Sequence, residues 1–163
     1  MKANELRIGN YIYIDSRDEL RTIVEIRHTM VSVKYIRSDT NQPHQSMVEY
    51  DRLTPITLTE EWLFKFKWKY QDRDVNRNDG KKERFYISPF FGEHREYWIE
   101  LQLSNNSFGH SFMWLCWDIG GGNDHIHFPQ GHKMDYVHQL QNLYFALAGE
   151  EPTLKTELSQ TEK

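Results

Sequence analysis

The sequence predicts an α+β protein made of an N-terminal small antiparallel β-unit (SH3-like barrel), a short helix, and a C-terminal antiparallel sheet with a closing helix. Two observations lead to this class. Short segments in which apolar and polar residues alternate, as in strands, recur before residue 56 and again between residues 84 and 119. Apolar spacing typical of a helix is found only near residues 59–67 and 135–148.

The first 56 residues are expected to form the SH3-like β-unit. Alternation at period two appears in three segments between residues 8 and 36, and residues 47–53 can supply a fourth strand. The polar segment 38–46 is expected to be a loop. The alternation places six apolar side chains inside this unit: Ile12, Ile14, Val24, Ile26, Val31 and Val33.

A short helix is expected at about residues 59–67. Thr59 is a plausible N-cap, and the two glutamates that follow it favour a helix start. Leu58 and Leu63 occupy the positions of a hydrophobic staple. The competing interpretation is a strand, because aromatic residues alternate with lysines from Phe64 to Tyr70. We expect the helix first and a change to strand near Trp68.

Residues 57–152 are expected to form the α+β unit with the closing helix. Three β-segments lie between residues 84 and 119, and a short one follows near residue 125. Gly149 fits the left-handed position that ends a helix, and Pro152 prevents its continuation. Residues 153–163 are polar and are expected to be a disordered tail.

Composition excludes several classes of function. The chain has 163 residues and a net charge of −4, which argues against a general nucleic-acid coat because such proteins need a basic surface. Its single cysteine, Cys116, cannot form an internal disulfide and is expected to be a buried small apolar residue. The chain shows no secretory signal and no apolar run long enough for a membrane span. We therefore expect a cytoplasmic protein with no membrane contact.

Three segments carry a family resemblance: LRIGNYI at 6–12, PITLTEEWLFKF at 55–66 and YVHQLQNLYFALAGEE at 136–151. In this order they resemble a family of uncharacterised small proteins from gut bacteria, their phages and mobile elements. The resemblance implies a biological context and no particular activity. Two features depart from the family pattern: Lys67 stands where the family has Gly, and the His-rich segment 123–135 is longer.

The closing helix has an unusual outer face. In place of Glu and Lys it carries uncharged polar groups and one aromatic ring. Such groups hydrogen-bond without a charge to desolvate, so they suit burial against backbone or against a partner. A protein partner, self-association and burial within the chain's own fold all remain open. The predicted partner-binding residues are His138, Gln141, Asn142 and Phe145.

A histidine cluster is the alternative, enzymatic signal. His125 and His127 would share one face of a strand, and Asp124, His132 and His110 lie near them in sequence. Imidazoles with a carboxylate can hold a metal ion or act as a general base. No recognised metal-binding spacing is present, so neither a metal nor another cofactor is expected.

A second alternative is single-stranded nucleic-acid binding. In the segment KFKWKY, residues 65–70, the lysine side chains would contact phosphates and the aromatic rings would stack on nucleobases. The alternative interpretation is purely structural: the aromatic side chains belong to the core and the lysines are solvated. The net negative charge of the chain favours this interpretation. The residues concerned are Lys65, Lys67, Trp68, Lys69 and Tyr70.

Taken from the sequence, the favoured function is that of a non-enzymatic protein-interaction or accessory protein of bacterial or phage origin. The alternatives are a small metal-dependent or histidine-based hydrolase or nuclease, and a single-strand nucleic-acid binder. No nucleophile or phosphate-binding motif favours an enzyme, since GxSxG, HExxH and GxxxxGK[ST] are all absent from the sequence.

Overall fold

The computed structural model confirms the α+β class. Its described residues form two five-stranded antiparallel sheets and two α-helices. The structure describes residues 1–15, 17–74, 82–92, 96–103, 112–118, 123–127 and 134–155, with the backbone alone at 17, 18, 74, 82, 112–114, 118 and 123–127.

The chain divides into two compact units, and the division differs from the one expected at residue 56. The first unit joins Met1–Leu58 to Asp135–Glu151, so it includes the closing helix. The second unit holds Thr59–Met134 and Pro152–Lys163. The sequence order grouped the helix with the nearer strands, whereas its packing partners are 130 residues away in the chain.

The first sheet is open and has the strand order β4-β3-β2-β1-β5. Each neighbouring pair of strands is antiparallel. The edge strands β4 and β5 do not pair with each other among the described residues, so the expected barrel is not closed. Its strands are β1 (Tyr11–Ile14), β2 (Arg17–Ile26), β3 (Met30–Ile36), β4 (Pro43–Glu49) and β5 (Leu53–Thr54).

An irregularity in β2 changes which of its side chains is buried. The register between β2 and β3 shifts between Ile23 and Glu25. A bulge of this kind turns the following residues to the other face. Ile23, before the irregularity, is fully buried, and Ile26, after it, packs against the same core. Val24, which simple alternation placed inside, is half-buried.

Strand β4 begins earlier than expected. Residues 43–46 were predicted to belong to a loop because they are polar, yet they pair with β3 up to Ile36. Their side chains are mostly exposed because β4 is an edge strand. The core of the first sheet is formed by these residues: Leu6, Ile12, Ile14, Ile23, Val31, Val33, Val48 and Leu53, with Ile26 packed against them.

The closing helix α2 (Val137–Ala148) ends as predicted. Gly149 has a φ of +74° and its N–H donates to the carbonyl of Phe145. Helical spacing predicts that one arc docks on the sheet: Tyr136, Leu140, Leu143, Tyr144 and Leu147. The buried face differs, because Leu143 is only half-buried whereas His138 and Gln141 are almost fully buried. The buried side chains of the helix are Val137, His138, Leu140, Gln141 and Tyr144.

In the second unit, the helix α1 (Glu60–Lys65) is followed by a strand, as the sequence predicts. Leu63 is fully buried in this unit. The sheet has the order β10-β9-β8-β7-β6 and is antiparallel throughout. Its strands are β6 (Lys69–Asp74), β7 (Lys82–Ile87), β8 (Tyr97–Gln102), β9 (Phe112–Asp118) and β10 (Asn123–His127).

Lys67 links α1 to β6 with a left-handed backbone, at a φ of +64°. An L-residue with a side chain is strained in this region, which glycine enters freely. Lys67 is therefore in a conformation that its own residue type disfavours.

The start of the predicted disordered tail is held in place. The backbone N–H of Lys155 donates to the carbonyl of Lys65 at 2.7 Å, and Leu154 is half-buried. The tail predicted from residue 153 is therefore ordered as far as residue 155. Residues 156–163 lie outside the described part of the chain.

A nearly buried ion pair lies on the second sheet. Both terminal nitrogens of Arg73 donate to the carboxylate of Glu100, at 2.8 and 2.7 Å. The Glu100 side chain is 9 % exposed and also accepts from the indole N–H of Trp98 at 3.1 Å. These bonds satisfy a carboxylate that would otherwise be costly to bury.

Candidate functional site

The amide face of α2 contacts the beginning of the chain. The side chain of Gln141 accepts a hydrogen bond from the backbone N–H of Tyr11 at 2.8 Å and donates one to the carbonyl of Gly9 at 2.9 Å. Gln141 is 1 % exposed. Of the predicted partner-binding residues, Gln141 is thus committed to its own chain, because both ends of its amide are satisfied there.

Asn142 makes a second connection to the same segment. Its side-chain nitrogen donates to the carbonyl of Glu5 at 2.9 Å, and its oxygen accepts from the amide of Asn10 at 2.8 Å. Asn10 is fully buried, and its own oxygen accepts from the backbone N–H of Arg7. We call the contacts of Gln141 and Asn142 with residues 5–11 the amide clasp.

Phe145 remains exposed beside the clasp, with 38 % of its surface accessible. The guanidinium carbon of Arg7 lies 3.9 Å from the centre of its ring, within the range of a cation–π contact. Arg7 also forms an ion pair with Glu151 at 2.5 Å. Gly9 has a φ of +95°, a backbone conformation that favours glycine, and a Cβ atom there would also displace the Glu151 carboxylate from its present position.

A pocket of about 400 Å³ lies at the beginning of α2, within the first unit. Its volume falls in the range of small-molecule and side-chain binding sites. Two of the predicted partner-binding residues contribute to it. The lining residues are Asn4, Glu5, Pro55, Tyr136, His138, Gln139 and Asn142.

The wall of the pocket includes two parallel rings. Those of Tyr136 and His138 are stacked, with centroids 5.7 Å apart and planes 12° apart. His138 is 3 % exposed, and its Nδ1 has no hydrogen-bond partner among the described residues. Burial lowers the pKa of His138, although the carboxylate of Glu5 opposes this shift. The imidazole is therefore neutral at pH 7.

The beginning of the helix is capped by its own side chain. The oxygen of Gln139 accepts the backbone N–H groups of Asp135 and Tyr136, at 2.9 and 3.1 Å. The backbone N–H of Val137 donates to Ile56. These bonds satisfy backbone groups that a helix start leaves without intrahelical partners, and they hold the pocket wall in position.

Three of the four predicted partner-binding residues lie along one line of α2. His138, Asn142 and Phe145 are spaced at i, i+4 and i+7, which places them on one side of a helix. We call this line the outer stripe. Its first two residues line the pocket, and the third is exposed.

The lysine–aromatic segment is arranged differently from a stacking platform. Trp68 is 3 % exposed and so cannot stack on a nucleobase. Lys65 pairs with Glu61 at 2.7 Å. Tyr70 is 52 % exposed, but the guanidinium carbon of Arg84 lies 4.3 Å from its ring centre. Lys67 and Lys69 are exposed.

The histidine cluster falls mostly outside the described residues. Asp124, His125 and His127 belong to β10, of which the backbone alone is described; His110 and His132 lie in undescribed segments. No group of three or more potential metal ligands is found among the described residues. The hydrolase alternative thus stays a prediction from the sequence.

Cys116 is buried, as expected. Burial, together with the nearby carboxylate of Glu100, raises the pKa of Cys116 to about 12. A thiol with this pKa carries almost no thiolate at neutral pH, and the thiolate is the nucleophilic form. Cys116 is therefore a packing residue.

The comparisons with known proteins identify no relative. No family model matches the sequence, and searches of curated proteins and of solved structures found no match. Within the described part of the chain, neither helix is long and apolar enough to cross a membrane.

Of the seven residues that line the pocket, the sequence predicted only His138 and Asn142 as partner-binding residues. Tyr136 was assigned to the arc that docks on the sheet, and Glu5 and Pro55 carried no local signal. Glu5 and Pro55 come close to α2 only through contacts between residues far apart in the chain, such as those of Asn142 with Glu5 and of Val137 with Ile56. The uncharged outer face of α2 was the one signal that pointed to this region.

Proposed function

We propose that this protein is a non-enzymatic interaction protein, which binds a protein partner with the outer stripe of α2 and the pocket beside it. The observation that carries the proposal is the combination of an exposed aromatic ring, Phe145, with a pocket of about 400 Å³ on the same side of the helix. Large aromatic anchors and preformed pockets are recurring features of protein recognition sites.

The chemistry of this surface suits association with a protein. The pocket is lined mainly by amides, a phenol and a neutral imidazole, which can hydrogen-bond to a partner without the cost of desolvating several charges. The amide clasp fixes α2 on the N-terminal segment. A surface fixed before binding loses less conformational freedom when the complex forms.

The family resemblance gives the proposed context. Because two of the resembling segments, 6–12 and 136–151, meet in the amide clasp, the proposal places the binding surface on the part of the chain that carries the resemblance. We propose an accessory role in a bacterium or phage, in the cytoplasm.

Quantitative affinity capture tests the proposal. The tagged full chain and two variants are incubated with extract from bacteria that carry the gene, and bound proteins are quantified. Phe145→Ala removes the exposed ring of the outer stripe, and Ile36→Ala is the control because Ile36 is a 54 % exposed apolar residue in β3. The proposal expects one partner that the wild type and Ile36→Ala retain and that Phe145→Ala loses. Equal recovery by all three chains, or recovery by none, would overturn it.

Sedimentation of the purified chain separates a second copy from a different partner. A dimer that Phe145→Ala dissociates would replace the different partner with self-association on the same surface. A monomer at every concentration, together with Phe145-dependent capture, supports a different protein.

A further inference from the structure

The electrostatics of the pocket are set by one full charge. Glu5 is the only Asp, Glu, Lys or Arg among the lining residues, and burial lowers the pKa of the imidazole of His138. One oxygen of Glu5 accepts the backbone N–H of Lys2 at 3.1 Å. No Lys or Arg forms an ion pair with Glu5 among the described residues. The carboxylate is thus available to a positive ligand.

Two positive groups also act near the pocket: the start of α2 and the N-terminal ammonium, which opposes protonation of His138. The start of α2 contributes a dipole equivalent to roughly half a charge. The oxygen of Gln139 already accepts two of the backbone N–H groups there. The N-terminal ammonium donates to the carbonyl of Tyr50 at 3.4 Å. Asp135 is exposed immediately before the helix and adds a second negative charge.

The shape of the wall favours a planar cation. The ring of Tyr136, which lines the pocket with Glu5, is stacked on the imidazole of the buried His138. A guanidinium group is planar, stacks on aromatic rings and donates up to five hydrogen bonds, whereas an ammonium group has no plane to stack. Beside these rings, the amide of Asn4 makes no hydrogen bond with a described residue, and the oxygen of Asn142 accepts only one.

We infer that the pocket receives an arginine side chain of the protein partner, with the guanidinium against Tyr136 and paired with Glu5. This inference rests on the proposed function and names the chemistry of its partner. The volume of about 400 Å³ accommodates such a side chain together with adjoining backbone. The amide nitrogen of Gln139, whose oxygen is already occupied, can donate to a carbonyl of that backbone.

Titration of the full chain with a short peptide tests the inference. The probe is acetyl-Gly-Arg-Gly-amide, and backbone amide signals are followed by two-dimensional NMR. The matched peptide with citrulline in place of arginine has nearly the same shape and no charge. Saturable shifts are expected at Glu5, Gln139 and Asn142, with about tenfold weaker binding of the citrulline peptide, because charge-assisted hydrogen bonds are the stronger ones.

Two variants complete the test. Glu5→Gln removes the charge and should weaken arginine binding by about tenfold, whereas the exposed control Glu49→Gln should leave it unchanged. Equal binding of both peptides, an unchanged affinity in Glu5→Gln, or no saturable shifts would each overturn the inference. If the arginine peptide does not bind but partner capture still depends on Phe145, the result contradicts the arginine assignment and leaves the proposed function supported.

Discussion

The side-chain oxygen of Gln141 accepts a 2.8 Å hydrogen bond from the backbone N–H of Tyr11, 130 residues earlier in the chain. The nitrogen of the same amide donates to Gly9, so one side chain fixes α2 at the beginning of β1. A buried amide can satisfy a donor and an acceptor at once, which a lysine or a glutamate at this position cannot do. This explains the missing charge at Gln141 on the helix.

The two asparagines of the amide clasp should be energetically coupled. Their side chains share a 2.8 Å hydrogen bond, and Asn10 is fully buried. A double-mutant cycle of Asn10→Ala and Asn142→Ala, measured by urea unfolding, should give a coupling free energy of about 0.5–3 kcal/mol. Pairing Asn10→Ala with the exposed Gln42→Ala should be additive within about 0.5 kcal/mol. Additivity in both cycles would show that the contact does not form.

Lys67→Gly should stabilise the protein. The left-handed backbone at Lys67 costs a residue with a side chain about 1–2 kcal/mol, and the larger entropy of glycine in the unfolded chain offsets part of this. We expect a gain of about 1 kcal/mol in the free energy of unfolding. Lys65→Gly, at the last residue of α1, is the comparison variant and should lower the free energy of unfolding by about 1 kcal/mol, because glycine disfavours the helix and the ion pair with Glu61 is lost. If both variants had a lower free energy of unfolding than the wild type, the left-handed backbone at residue 67 would be contradicted.

Stability should decline in mildly acidic solution because of His138. Burial lowers the pKa of His138 below its ordinary value of 6.5, so the unfolded chain binds this proton more readily than the folded one. The stability that the folded chain gains from keeping this imidazole neutral is fully present above pH 6.5. It is lost as the pH falls towards and through the pKa of His138 in the folded state. His138→Phe should reduce the slope of unfolding free energy against pH in this window, and the exposed control His28→Gln should retain it. An unchanged slope in His138→Phe would reject the assignment.

Arg73→Ala should cost far more than the loss of an exposed ion pair. The substitution leaves the nearly buried carboxylate of Glu100 without its cation, so the free energy of unfolding should fall by about 2–4 kcal/mol. The expected fall is smaller than for a fully buried pair because Arg73 is partly exposed. Arg27→Ala breaks the exposed pair with Glu25 and should cost about 0–1 kcal/mol. Similar losses in thermal and chemical unfolding of both variants would show that Glu100 is well solvated.

Elements with a strong local pattern could be predicted from the sequence. The switch from helix to strand near Trp68 and the helix end at Gly149 depend on neighbouring residues alone, and both are confirmed. The burial of Ile23 in place of Val24 could not be predicted, because the irregularity in β2 is a property of its pairing with β3. Periodicity within one strand contains no information about the register of the next.

The candidate site was predicted only where a single element displays it. The uncharged outer face of α2 identified His138, Asn142 and Phe145, which lie on one side of the helix. Gln141 was grouped with them, although it points to the N-terminal segment and is buried. Which side of the helix is covered depends on a chain segment 130 residues away, and local sequence does not specify such a contact.

The central claim is that the closing helix packs on its own fold with one side and binds a partner with another. Chemical unfolding of Gln141→Ala and Phe145→Ala, measured under the same conditions, tests this claim. Gln141→Ala leaves two backbone groups without partners and opens a cavity, so it should lose about 2–5 kcal/mol. Phe145→Ala removes a partly exposed ring and one cation–π contact, and should lose about 1 kcal/mol. A loss in Phe145→Ala equal to or greater than that in Gln141→Ala would contradict the claim.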